Sequence, residues 1–161
     1  MSVRRFLVPS EYSPDESWRL VDWCRSLGAD EFTIDMLGAE SSQAHQLHVR
    51  FDHAFAVHVR PQARRERMSG KTADALHRDT ELWSLNESSL DVLKTALPAG
   101  IFQYDPRDGG WFEDPILYRN GELMLGVLSH EAFAVLRVSE RESAQLAAAG
   151  FPSHDSLPRI G

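Results

Sequence analysis

Asn120-Gly121 stands between two apolar runs, Trp111–Arg119 and Glu122–Leu128, and no other pair of residues restricts the fold so tightly. A two-residue type I′ turn needs positive φ at both central positions, which Asn followed by Gly supplies at low cost. Strands joined this way run antiparallel, because a parallel neighbour demands a crossover of about a dozen residues or more. A third run, Phe133–Val138, follows after Ser129-His130-Glu131-Ala132, and Ile101–Tyr104 precedes the turn Asp105-Pro106-Arg107-Asp108-Gly109-Gly110. The second half of the chain therefore reads as a β-meander.

Similar patterning appears upstream. Phe32, Ile34 and Met36 alternate with Thr33 and Asp35, the mark of a half-buried strand over Glu31–Leu37. Leu47, Val49 and Phe51, then Phe55, Val57 and Val59, flank Asp52-His53-Ala54 as the two arms of a hairpin that Pro61 ends. A short strand is expected at Arg4–Val8.

Helices punctuate these strands. Ser13-Pro14-Asp15-Glu16 combines an N-cap serine, a proline at the first helical position and a capping-box glutamate. Leu20, Trp23, Cys24 and Leu27 then repeat at helical spacing, widened by Trp18 and Val21, and Gly28 stops the helix. Thr72 to Asp79 carries a thinner stripe. Ser88-Ser89-Leu90-Asp91 opens another helix, closed by Pro98-Ala99-Gly100, and Ser139–Glu142 is a second capping box whose helix Gly150 ends. Glu81–Leu85 fits helix or strand. The expected class is α+β: a largely antiparallel sheet of about six to seven strands, with three to four helices on one face. Residues 1–150 form one domain and 151–161, with two prolines and no pattern, a C-terminal tail.

Composition narrows the function classes. At 161 residues the chain can bury roughly 68–70% of its unfolded surface and needs no staples. The one cysteine, Cys24, excludes an internal disulfide framework and a cysteine-based zinc knuckle, and points to a reducing, cytoplasmic setting. The first residues hold too few apolar side chains for a secretory segment, and no run approaches a membrane span of ~18. A formal charge of −7 argues against a globally basic nucleic-acid binder.

Four groups of residues are candidates for chemistry. On the 46–60 hairpin His48 is expected opposite His58, with Asp52 nearby. Cross-strand Cβ atoms lie about 4.5–5.5 Å apart, near enough for two imidazoles to share zinc or another transition metal. The competing reading is a solvated polar face. Arg60, Arg64, Arg65, Arg67 and Lys71 make a basic loop suited to phosphate or an acidic partner. Asp105, Asp108, Glu113 and Asp114 form an acidic patch whose spacing does not match an EF-hand loop. Trp83 and Trp111 fall outside clear periodic stripes, and exposed they would suit a partner surface. Ser129-His130-Glu131 resembles a triad only in order of residues; consecutive side chains cannot converge, so turn chemistry is expected there.

No glycine-rich phosphate loop or nucleophile elbow occurs, and the residues carry no family signature. The leading expectation is a non-catalytic acidic binding or regulatory module without a cofactor, of the immunity or inhibitor type, masking a basic partner enzyme. The alternative is a small metal-dependent enzyme or ligand-binding protein using the His48/His58 face. A third is a nucleic-acid accessory protein using Arg64–Lys71.

Overall fold

The first helix and the first strand show how local signals become architecture. In the computed structural model, which describes residues 1–36, 59–60, 82–104 and 112–157, Ser13 Oγ accepts from the Glu16 N–H at 3.1 Å. The Glu16 carboxylate in turn accepts from the Ser13 N–H at 2.8 Å. This closed box starts α1 (Pro14–Ser26), which buries Trp18, Leu20, Val21 and Cys24. Strand β1 (Ser2–Leu7) precedes it and β2 (Glu31–Met36) follows. Then come β3 (Val59–Arg60), β4 (Leu82–Ser84), α2 (Glu87–Ala96), β5 (Phe112–Arg119), β6 (Glu122–Leu128), β7 (Phe133–Ser139) and α3 (Glu140–Ala148).

All strands join one sheet of order β1-β7-β6-β5-β2-β4-β3, antiparallel at every contact. Six strands have three to eight residues, and β3 is a two-residue edge piece. The meander β5-β6-β7 forms as its turns require: Asn120 and Gly121 have φ of 52° and 78°. What local pattern does not convey is the closure, in which Ser2 pairs with Ser139 and Leu7 with Ala134.

Three α-helices occur among the described residues, and all three feed one apolar cluster. Leu20 and Val21 of α1, Leu90 and Leu93 of α2 and Leu146 of α3 meet Phe32, Trp83, Leu117, Leu125 and Leu136 of the sheet. A smaller cluster of Leu82, Tyr118 and Leu123, with Ile116 against it, lies apart. The segment Thr72–Asp79 lies outside the described residues. No helix among those described is long and apolar enough to cross a membrane.

Several expectations need correction. Helix α2 starts before Ser88: Asn86 is its cap, and Asn86 and Ser89 exchange N–H bonds of 2.9 and 3.0 Å. Ser89 Oγ also donates to the Ser84 carbonyl at 2.7 Å, tying the helix start to β4. Ile101–Tyr104 is a turn, not a strand. Its Ile101 N–H donates to Ser17 Oγ at 3.1 Å, and Gln103 Oε1 accepts from the Ala99 N–H at 2.9 Å. Gly100 permits that turn through φ +104°, and a Cβ there would meet Ser17 Oγ at 2.5 Å. Residues 82–84 are strand, so Leu82 and Trp83 serve different clusters. Trp83 is 1% exposed and its ring centroid lies 5.6 Å from that of Phe32. It is core, not a partner surface.

The stretch after Gly150 is tied in despite its lack of periodicity. Phe6 and His154 exchange N–H···O bonds of 2.8 Å, and the Tyr12 hydroxyl donates to the Pro152 carbonyl at 2.6 Å. Arg5 reaches Ser153 and Asp155. Cys24 is fully buried, which pushes its thiol up to about 12 and leaves it inert at neutral pH.

Candidate functional site

Residues from two neighbouring elements converge at the start of β5. Counting outward from the Asn120-Gly121 turn pairs Arg119 with Glu122 and Tyr118 with Leu123. A register shift then makes Leu117 face Leu125 and Ile116 face Gly126, so Asp114 comes abreast of the end of β6. Against β2, Thr33 faces Ile116 while Asp35 faces Glu113, so Asp114 and Pro115 together span one residue of the partner strand. This is a β-bulge, a feature that turns a side chain away from the regular pleat. Asp114 accommodates it with φ 52°, a conformation Asp tolerates better than most residues.

The bulge aims Asp114 at the short 3-10 turn Ser129–Glu131. Asp114 Oδ1 accepts from the Ser129 N–H at 2.7 Å, and the Asp114 N–H donates more loosely to Ser129 Oγ at 3.5 Å. Ser129 is 5% exposed and its hydroxyl is engaged, which is turn chemistry. Next to it His130 Nδ1 lies 3.6 Å from Asp114 Oδ2, and Nε2 lies 3.6 Å from Glu131 Oε1. Glu113 brings a third donor: ligating atoms of Glu113, Asp114 and His130 all lie within 4.8 Å of one another. Exposed Tyr104 borders the group, its ring centroid 6.3 Å from that of His130.

A second ionic cluster occupies the other end of β5. Arg119 donates to Glu142 through Nη1 at 2.7 Å and Nη2 at 3.3 Å, and Nη1 also reaches the Leu27 carbonyl at 3.3 Å. Glu142 is at once the capping-box residue of α3, accepting from the Ser139 N–H at 2.8 Å. The guanidinium, followed by this backbone bond, holds the Glu142 carboxyl below the usual carboxylate range. Beside it opens a cleft of about 530 Å³ whose walls include Glu122, Leu123, Arg137 and Ser139.

The sequence-derived candidates fare unequally. Glu113 and Asp114 meet, and they meet His130, a residue that sequence order had tied only to its chain neighbours. The hairpin register was the one signal that pointed this way: counted from the turn it sets residue 114 opposite residue 127, three short of His130, and the register shifts that bring the two side chains together are marked by no local pattern. His48, His58, Asp52, Arg64, Arg65, Arg67, Lys71, Asp105, Asp108 and Trp111 lie outside the described residues. Arg60 is described by its backbone alone, paired with Leu82. Known proteins add no assignment: no family model matches the chain, and neither curated proteins nor solved structures give a match.

Proposed function

We propose that the protein is a binding module that docks a basic partner, of the immunity or inhibitor type, rather than a catalyst. One observation supports the reading above others. Among the described residues, six exposed carboxylates (Asp15, Asp30, Glu87, Asp91, Glu122 and Glu140) pair with no cation. The described cations are more fully engaged. Arg5, Arg25 and Arg119 each hold a carboxylate, and Arg19 and Lys94 lie over the rings of Phe151 and Trp18, while exposed Arg4 and Arg141 hold none, so the unpaired carboxylates outnumber the unpaired cations. Uncompensated surface charge of one sign speeds encounter with a partner of the other sign and rejects like-charged ones.

The test is capture with the full chain in a lysate of its source, followed by salt elution. A single basic protein should be retained in stoichiometric amount and released at about 0.1 to 0.5 M salt, where charge interactions are screened. Reversing Asp30, Asp91 and Glu122 to lysine, none of them in a helix first turn, should abolish retention. A complex indifferent to both salt and charge reversal, or no specific partner at all, rejects the reading.

A further inference from the structure

We propose that Glu113, Asp114 and His130 form a binding site for a divalent first-row transition ion of the zinc or manganese type. The donor set is one imidazole nitrogen and two carboxylates without thiolate, which suits such ions better than a soft copper(I) centre. The nitrogen sets it apart from calcium and magnesium sites, which are built from oxygen.

Distance supports the assignment independently of donor type. Two ligands bound about 2.0–2.2 Å from one tetrahedral ion are separated by about 3.3–3.6 Å. His130 Nδ1 and Asp114 Oδ2 stand 3.6 Å apart, at that spacing and beyond the ~3.2 Å limit of an ordinary N–H···O bond. That separation fits two ligands of one ion. Glu113 supplies the third donor, with a carboxylate oxygen within 4.8 Å of the other two ligand atoms.

One supporting contact is also in place. Ligating carboxylates are usually held by a hydrogen bond through their other oxygen, and a ligating histidine usually turns its second nitrogen toward a carboxylate. Asp114 Oδ1 is held in this way by the Ser129 N–H at 2.7 Å, while the carboxylate beside His130 Nε2, Glu131 Oε1, stands at 3.6 Å, outside hydrogen-bond reach. Both ligands sit on short, constrained backbone: Asp114 in the bulge, His130 in a turn that Ala132 closes with φ 55°. Three protein ligands leave at least one coordination position to solvent or to a partner's side chain. The site uses none of Asp30, Asp91 and Glu122, so it stands or falls apart from the docking reading.

The full chain, stripped with chelator, would be titrated with zinc and then with manganese by calorimetry, with thermal melting in parallel. One equivalent should bind and raise Tm. His130→Ala and Glu113→Gln should each weaken binding by at least about tenfold, with circular dichroism confirming that both variants fold. The double variant His48→Ala with His58→Ala should bind as the parent does. Failure to take up either ion overturns the proposal. So does uptake insensitive to His130→Ala and Glu113→Gln, or lost in the His48/His58 variant.

Discussion

Strand β5 carries an ionic cluster at each end, and the two are built for different purposes. At its C-terminal end Arg119 and Glu142 meet through two hydrogen bonds, and the remaining reach of each group is spent on backbone: the Leu27 carbonyl and the Ser139 N–H. Side-chain exposure there is 26% and 18%. At the N-terminal end Asp114, His130 and Glu131 stand at 3.6 Å spacings, with His130 41% exposed. The same kinds of charged side chain lock a fold where donors and acceptors touch, and leave room for a guest where they stop short of touching. Distance and residual exposure, rather than residue type, separate the structural cluster from the functional candidate.

The largest effect is expected at the closed end. Arg119→Ala strands a half-buried carboxylate and releases the start of α3 from β5 and α1. Urea unfolding should show a loss of about 2–3 kcal/mol. A loss below about 1 kcal/mol would place the pair with ordinary surface ion pairs and erase the contrast. The same variant sharpens the comparison in acid. Glu142 has a folded-state pKa below its unfolded value, so its ionised form stabilises the fold. That contribution is complete above the usual carboxylate pKa of about 4.3 and is lost as pH falls through the lowered folded value. Arg119→Ala should flatten this acid limb.

A smaller effect is expected at the open end. Asp114→Ala removes the acceptor of the Ser129 N–H and leaves alanine in a left-handed conformation, at a cost of about 1–2 kcal/mol. Asp114→Asn keeps both the acceptor and the backbone tolerance and should lose less. If asparagine proved as harmful as alanine, charge rather than hydrogen bonding would hold the turn. The smallest change is reserved for His130→Ala, which without metal should alter stability by less than about 0.5 kcal/mol. A larger loss in metal-free protein would make His130 a structural residue and bring the two ends of β5 closer in kind.

The fold was largely legible where a local rule has a direct mechanical cause. Ser13 and Glu16, and Ser139 and Glu142, close their boxes as read, because capping is a contact between residues three apart. The Asn120-Gly121 turn likewise holds its expected geometry. Misreadings fall where tertiary packing took an apolar run for its own use. Ile101 is fully buried, but its N–H goes to Ser17 of α1 and not to a neighbouring strand. Trp83 fell outside any clear periodic stripe because it belongs to a strand only three residues long, too short to display its alternation.

Sequence alone determined that this chain makes capped helices and tightly connected antiparallel strands, since both are written in the φ preferences and side-chain oxygens of adjacent residues. Only the tertiary structure decided that β1 closes onto β7, that β2 lies between β4 and β5, and that a bulge turns Asp114 toward His130. Those outcomes depend on contacts between residues distant in the chain. There, shared burial and register choose among pairings that local preference leaves equal.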